Sequence, residues 1–174
     1  MENVKKEYTI RQATVEDVPL AIEFRQKLFA EMGVPNEAFI DNVYGQLTEI
    51  YRDLYTKEEI VHFIAYDGER PAAAAGALIK CDFPYYLFKP GKYGWIIDVF
   101  TNPFHRGRGL AAQLIERTHE WLVAKGVQEA KLISAGAEAR RLYERLGYRA
   151  TWEMSMNLTM QPTYNEFIDA RPAE

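Results

Sequence analysis

The sequence predicts an α/β fold in which helices flank one central mixed β-sheet. The chain has 174 residues, which is enough for one full hydrophobic core. Its hydrophobic periodicity switches between strand and helix patterns in the order β-α-α-β-β-β-α-β-α-β. No internal repeat or linker interrupts that order. We therefore expect a single domain over residues 1–174.

The N-terminal part is predicted to form a strand followed by two helices. The stretch "EYTIRQA" alternates as a strand does, and Thr14 resembles an N-cap with an acidic first turn. A helix then runs from Val15 to Glu31, and Asn36 can cap the next one. The second helix is predicted from its apolar stripe, which consists of Ile40, Val43, Tyr44, Leu47, Ile50, Tyr51 and Leu54.

The middle of the chain is predicted to form three strands. "EIVHFIAYD" and "GERPAAAAGALIKC" are joined through Asp67-Gly68, a dipeptide typical of hairpin turns. A proline- and glycine-rich loop from Asp82 follows, and its aromatic side chains either pack structurally or form a wall on the substrate side. "WIIDVFT" is too apolar for an edge strand, so we place it centrally.

The C-terminal part is predicted to form helix, strand, helix and strand. The first helix runs from Gly109 to about Lys125, and Gly126 ends it. The remaining elements are the strand "EAKLISA", the helix "EARRLYERLGY" and the closing strand "RATWEMSMNL".

The amino-acid composition indicates which partners the protein can bind and in which cellular compartment it is expected. The 21 Lys and Arg residues against 25 Asp and Glu, with no basic run longer than a pair, make nucleic acid an unexpected partner. A single cysteine, Cys81, excludes an internal disulfide. The start "MENVKKEYTI" lacks the apolar stretch of a signal peptide or membrane span. We expect a cytoplasmic protein that does not bind a membrane.

The stretch "NPFHRGRGLAAQLI" breaks a strand and opens a helix with two glycines. A helix start has unpaired backbone N–H groups and the positive end of the helix dipole, so it can hold an anion such as a pyrophosphate. Gly107 and Gly109 remove side chains there, and Arg106 and Arg108 add positive charge. The alternative is a tight turn whose glycines only let the helix pack on the strand.

Two familiar phosphate loops fit this stretch poorly. The GKS or GKT ending of a Walker P-loop is absent. The letters from Gly107 to Ala112 match G-x-G-x-x-A, but "TNPFHR" separates them from the strand, and Ser134 and Ala135 stand where an acid should end the next strand. A dinucleotide site is therefore disfavoured.

A third pattern fits better. Arg106-x-x-Gly109-x-Ala111, preceded by a strand and Pro103, resembles the R/Q-x-x-G-x-G/A signature of the GNAT N-acetyltransferase superfamily, whose members bind acyl-coenzyme A. Downstream, "ARRLYERLGY" is similar to that family's A-x-x-L-Y-x-x-x-G-F segment. The resemblance runs over residues 95–158, as the coenzyme-binding core. Residues 1–60 then correspond to the substrate side, and residues 161–174 form a tail.

The resemblance implies a binding mode for acetyl-CoA. In this family the strand before the signature bulges and splays, and its backbone pairs with the pantetheine arm, which maps onto Val99, Phe100 and Thr101. The signature amides hold the pyrophosphate, with Arg106 leading into the turn. Those amides map onto Gly107, Arg108, Gly109, Leu110, Ala111 and Ala112.

The resemblance also implies a reaction by direct transfer, in which a neutral amine attacks the thioester carbonyl and the coenzyme thiolate leaves. The tyrosine that commonly protonates the sulfur maps onto Tyr143; a phenol of pKa about 10 can protonate a thiolate of about 8.5. Its position on an apolar helix face also fits a core tyrosine. Gly136 replaces an asparagine that contacts the coenzyme in some members, and Ser134 could make that bond instead or simply belong to a turn.

No general base follows from the resemblance, because Lys131 stands where some relatives carry a glutamate. Asp98 is an acid inside an apolar strand, which is costly unless it is paired or functional. It could receive the amine proton through water or bind a cationic substrate; equally it could form an ion pair or a cap. The histidines suggest no metal site, and Cys81 is expected to be a small buried residue.

These observations predict an acetyl-CoA-dependent N-acetyltransferase acting on a small amine or a peptide amino group. A GNAT-fold module that binds acyl-CoA without transferring it is the alternative, and a nicotinamide-dependent oxidoreductase is a third. The first two helices and the loop from Asp82 to Trp95 are expected on the acceptor side, where acids such as Glu31, Glu37 and Asp41 could attract a cation or be solvated. A homodimer is a family-level expectation, with the tail docking on a partner or on its own domain.

Overall fold

The computed structural model describes residues 7–34, 41–84, 90–156 and 158. Short 3-10 turns at Val15–Asp17 and Pro103–His105 precede two of the helices. In chain order the elements are β1 (Thr9–Gln12), α1 (Val18–Glu31), α2 (Val43–Thr56), β2 (Ile60–Asp67), β3 (Arg70–Cys81), β4 (Lys92–Thr101), α3 (Leu110–Ala124), β5 (Ala130–Lys131) and α4 (Ala137–Arg145).

The five strands form one mixed sheet in the order β1-β2-β3-β4-β5. The first three pairings are antiparallel, and β4 pairs with β5 in parallel. β5 reaches only Gly94 and Trp95 of β4. The predicted α/β class with a mixed sheet is confirmed, and β4 lies inside the sheet along only part of its length.

Helices pack on both faces of the sheet. Phe24 of α1 packs with Ile64, Ala74 and Phe100, which lie in one row across β2, β3 and β4. On the opposite face a Cβ at Gly94 would collide with Leu122 of α3, so a glycine is needed there for α3 to approach. Because successive strand residues face opposite sides, these contacts place α1 on one face and α3 on the other. The helix α2 lies on the face of α1, because the two helices share a second core cluster.

Several boundaries differ from the predicted ones. The first helix begins as a 3-10 turn, and the second begins at Val43 after Asn42, whereas Asn36 lies outside the described residues. Ile50, predicted in the apolar stripe, is half exposed. In the hairpin Asp67 pairs with Arg70, so the turn lies one residue later than predicted.

The predicted closing strand is absent from residues 149–156, which form no ladder. The side chain of Trp152 in this segment is 99% exposed. The polar and apolar residues alternate there, but this apolar side chain is not buried. Alternation makes a strand only where a neighbouring strand accepts its backbone hydrogen bonds.

The chain divides into two compact units, Met1–Leu132 and Ile133–Glu174. The first contains the sheet with α1, α2 and α3, and the second contains α4. The single domain stays a prediction. Among the helices of the described residues, none combines the length and apolar character needed to cross a membrane.

Candidate active site

The centre of β4 contains a β-bulge at Asp98. Gly76 of β3 pairs with Ile97 and Ala74 pairs with Phe100, so Asp98 and Val99 together lie opposite one residue, Ala75. Asp98 has φ +54°, in the left-handed region that few residues other than glycine adopt and that aspartate tolerates best after asparagine. A bulge re-aims side chains, and this one turns the carboxylate of Asp98 onto the face covered by α1 and α2.

The carboxylate of Asp98 is fully enclosed and held by three side chains. Arg25 donates from Nη1 to Oδ1 at 2.6 Å, while Tyr51 Oη at 2.6 Å and His62 Nε2 at 3.0 Å donate to Oδ2. Burial alone would raise the pKa of Asp98, but the His62 hydrogen bond and the charge of Arg25 lower it to about 2. Of the roles left open by the sequence, the geometry therefore favours an ion pair over a proton acceptor.

The ring of His62 lies across β3 to reach Asp98. Its register partner on β3 is Gly76, where a Cβ would lie 2.5 Å from His62 Cδ2. Tyr55 Oη is 2.9 Å from His62 Nδ1. Because an ionised Asp98 can only accept, Nε2 carries the proton of that contact, and Nδ1 faces the Tyr55 hydroxyl. Glycine at position 76 thus has a steric reason, which is space for this ring.

The outer edge of β4 beyond Trp95 has no strand beside it among the described residues. Before the bulge, the N–H of Gly94 points to the β5 side, where it binds Glu129 O. After it, the N–H of Asn102 points to the β3 side and binds Ala72 O. The extra residue therefore reverses the alternation, and the amides of Val99 and Thr101 face the open edge.

The glycine turn follows this edge directly. Gly107 has φ +70°, and no atom lies within 4 Å of the place where its Cβ would be. Gly109, at φ +74°, is the N-cap of α3 and carries no side chain that could occupy the helix end. Neither glycine therefore covers the first amides of α3 with a side chain, which leaves them accessible as an anion site requires.

The two arginines of the turn have different environments. Arg106 donates from Nε to Thr101 O at 3.0 Å and pairs through Nη2 with Glu31 Oε2 at 2.5 Å. It therefore ties the turn both to the end of β4 and to the end of α1. Arg108 makes a long contact of 3.4 Å from Nη2 to Phe104 O at the surface, and its guanidinium lies 5.9 Å from the centroid of the Tyr8 ring. Its guanidinium is the more available of the two for an incoming anion.

Two predicted site residues belong to the second unit. Tyr143 is buried in α4 and packs edge-on against Tyr148, with 5.8 Å between ring centroids. Burial raises the pKa of Tyr148 above its usual value. Ser134 has an enclosed Oγ with no hydrogen-bond partner in the described structure, which is an unmet bonding capacity at a predicted coenzyme contact.

The remaining ionisable residues are placed as follows. Lys131 lies over the Tyr93 ring, with Nζ 4.8 Å from the centroid. His105 is half-buried and bonded to Tyr8 Oη through Nδ1 at 2.9 Å. Cys81 is exposed at the end of β3, so the expectation of a buried cysteine was wrong. Within the described ranges no three His, Cys, Asp or Glu side chains gather as metal ligands would.

Sequence reasoning missed most of the residues around Asp98. The sequence predicts no role in the site for Arg25, Tyr55 or His62. It predicts Tyr51 only as a member of the apolar stripe of the second helix. The available signals were a histidine inside the apolar strand "EIVHFIAYD" and a lone glycine, Gly76, in a strand otherwise rich in alanine. They become informative only with the strand register, because it places His62 opposite Gly76, whose partner on β4 is the residue next to Asp98.

Comparisons with known proteins agree with the fold. A family model described as Acetyltransferase (GNAT) family matches residues 26–148. A predicted acetyltransferase with acetyl-CoA from Clostridium acetobutylicum has 25% identity and a TM-score of 0.79, over 87% of this chain and 97% of that chain. No curated protein sequence matches the chain.

Two further solved structures have the same fold. A Trypanosoma brucei acetyltransferase has 26% identity and a TM-score of 0.63, over 88% of this chain and 100% of that chain. A GCN5-related N-acetyltransferase from Ralstonia eutropha has 22% identity and a TM-score of 0.71, over 87% of this chain and 99% of that chain.

Proposed function

Because the chain belongs to the GNAT acetyltransferase family, we propose that it transfers an acetyl group from acetyl-CoA to a primary amine of a small molecule or peptide in the cytoplasm. The observation that carries this proposal is the continuity of two features. The open edge of β4 leads directly into the glycine turn at the start of α3. A ligand with an amide-containing arm and a pyrophosphate matches both features in that order.

The backbone supplies most of the proposed binding. The backbone groups of Val99 and Thr101 face the open edge, and Phe100 lies between the two residues. These backbone groups pair with the pantetheine arm as a neighbouring strand would. The amides from Gly107 to Ala112 hold the pyrophosphate, and Arg108 adds charge. The Clostridium relative, described with acetyl-CoA, supports this choice of ligand.

The proposed reaction has two proton movements. The amine nitrogen attacks the thioester carbonyl carbon, the carbon–sulfur bond breaks, and edge N–H groups stabilise the negative charge on the carbonyl oxygen. Tyr143 donates a proton to the departing thiolate. The proton lost by the amine goes to water, since the carboxylate of Asp98 is fully occupied.

The alternative of a non-catalytic acyl-CoA-binding module has a specific observation in its favour. Asp98 is enclosed in an ion pair, and Lys131 and Gly136 replace residues that act in some relatives. Neither of these differences from the relatives removes the backbone groups that are proposed to bind the coenzyme. In this alternative the protein therefore binds acyl-CoA without transferring the acyl group.

Thiol release in the presence of acetyl-CoA and a panel of amines, including amino acids, polyamines, amino sugars and short peptides, separates the two. We expect turnover with at least one amine. In Tyr143→Phe we expect kcat to fall about 10²-fold with little change in KM for acetyl-CoA, because only the proton transfer is lost. Tyr148→Phe removes a neighbouring hydroxyl and should keep kcat.

Absence of turnover with every amine, combined with measurable coenzyme binding, would favour the binding module. Equal losses in the two tyrosine variants would instead assign Tyr143 to the core of its unit.

A further inference from the structure

We propose that Arg25, Tyr51, His62 and Asp98 form a positioning device, the Asp98 clamp, which holds the bulge of β4 in the geometry that aims its edge amides at the coenzyme. The clamp does not touch the ligand. Its effect on ligand binding rests on the proposed function, whereas its effect on the backbone does not.

The bulge needs such a device because its backbone is unfavourable. Asp98 has φ +54°, and the bulge interrupts the ladder between β3 and β4. Residues in sparsely populated conformations persist only where the surroundings over-determine them. Here the surroundings are side chains from α1, α2 and β2, which all end on one carboxylate.

In its observed position the carboxylate has its charge compensated by Arg25 and by two hydrogen bonds. Its side chain is 0% exposed, and so is that of His62. A buried charge that loses its partners is strongly destabilised, so displacement of the carboxylate is opposed by every bond it makes. Because the carboxylate is two bonds from the backbone, the same bonds hold the bulge.

The position of the His62 ring in the clamp depends on Gly76 and Tyr55. Gly76 leaves the space that the His62 ring needs to reach across β3, and Tyr55 binds the far nitrogen of that ring. The rings of Tyr51 and Tyr55 also stack on His62, with centroids 5.5 and 6.0 Å away. The orientation and the position of the imidazole ring are therefore both fixed by its neighbours.

The bulge is also the point at which the backbone alternation of β4 reverses. The amides of Val99 and Thr101 face the open edge only because Asp98 takes up the extra residue. Weakening the clamp should therefore rotate these amides, although no clamp residue lies at the edge. A proton-transfer role does not explain the same features, since the buried groups leave no exposed acceptor oxygen on Asp98.

A double-mutant cycle between Gly76→Ala and His62→Ala tests the proposal. The added methyl of Gly76→Ala must displace the His62 ring, whereas in His62→Ala the ring is gone and a 3.0 Å contact with Val61 O is the chief one left. We expect each single variant to weaken binding of coenzyme A by about tenfold. We expect the double variant to be much closer to His62→Ala alone than to the product of the two losses.

The ligand-free readout is the pair of amide chemical shifts of Val99 and Thr101, measured by NMR on folded protein. We expect both to shift in Gly76→Ala and in His62→Ala. Gly94→Ala is the matched control, because its methyl collides with Leu122 on the opposite face of the sheet. Gly94→Ala should lower the free energy of unfolding without changing the chemical shifts of these two amides.

Additive losses, or unchanged amides in Gly76→Ala, would overturn the clamp. If the wild type fails to bind coenzyme A, the proposed function is wrong, and the amide shifts still decide whether the clamp sets the bulge.

Discussion

At the scale of single residues, the site depends on one buried carboxylate. Asp98 accepts bonds from a guanidinium, a phenol and an imidazole, each on a different element. Burial and the charge of Asp98 raise the pKa of Tyr51 well above its usual value, so this phenol stays protonated and donates. The cluster is consistent with a structural ion pair and needs no role for Asp98 in proton transfer.

The depressed pKa of Asp98 predicts how stability depends on pH. Its folded-state pKa is about 2 and its reference value is 3.8, so its contribution is present above the reference value and is lost as pH falls toward 2. The shift corresponds to roughly 2 kcal/mol, about half of it lost by pH 3. Urea unfolding from pH 6 to pH 3 should show the difference between wild type and Asp98→Asn shrinking accordingly.

Asp17→Asn is the control for this measurement. The pKa of Asp17 is also lowered to about 2, chiefly by its hydrogen bond with Arg11, but Arg11 is 49% exposed. Salt should reduce the contribution of this surface pair and leave that of Asp98 almost unchanged. A contribution of Asp98 that disappears in salt would contradict the buried ion pair.

At the scale of elements, β4, the turn and α3 act as one continuous surface. β4 supplies an edge, Arg106 ties the end of β4 to the turn, and the glycines leave the start of α3 uncovered. Strand backbone groups and helix-start amides are both unsatisfied groups of regular elements. A ligand can therefore be recognised here with few specific side chains.

Gly107→Ala tests this surface, with Gly33→Ala as its control. Both glycines have φ +70° and open space where a Cβ would be, so each substitution should cost about 1–2 kcal/mol of stability. Only the first places a methyl at the predicted pyrophosphate site. We expect isothermal titration to show acetyl-CoA affinity reduced about tenfold or more in Gly107→Ala. Equal affinities in the two variants would remove the turn from the binding site.

At the scale of the whole molecule, the family match and the fold agree while the acceptor stays a proposal. The match covers residues 26–148, which include β2 to β5, the end of α1 and all of α2, α3 and α4. Predicted acceptor-side residues such as Glu37, and the tail of residues 161–174, lie outside the described residues. Homodimer formation likewise remains a prediction.

Ligand-dependent stability is the whole-molecule prediction. A ligand that binds only the folded state stabilises it by about 2.7 kcal/mol at a hundred times its Kd, or roughly 5 to 10 °C in a chain of this size. We expect acetyl-CoA to raise the thermal unfolding midpoint and NAD or NADP to leave it unchanged. A rise with a nicotinamide nucleotide alone would restore the dinucleotide alternative.

The pattern along the chain was sufficient for most of the fold and for the location of the turn. Hydrophobic periodicity and turn residues are local, so they predicted the hairpin, the first helix and the strand that ends before Asn102. Glycines at positions 107 and 109 were informative because the conformation of a turn depends on the residues within it. Local alternation failed at residues 149–156, because a strand also needs a partner.

The surroundings of Asp98 depended on contacts that no local pattern contains. Arg25 and Tyr51 lie 73 and 47 residues from Asp98 in the chain. The sequence offered an ion pair and a proton acceptor as equal roles, because the cost of a buried charge depends on which groups surround it. Only strand register and helix packing brought those groups together, and with them the role of Gly76 became interpretable.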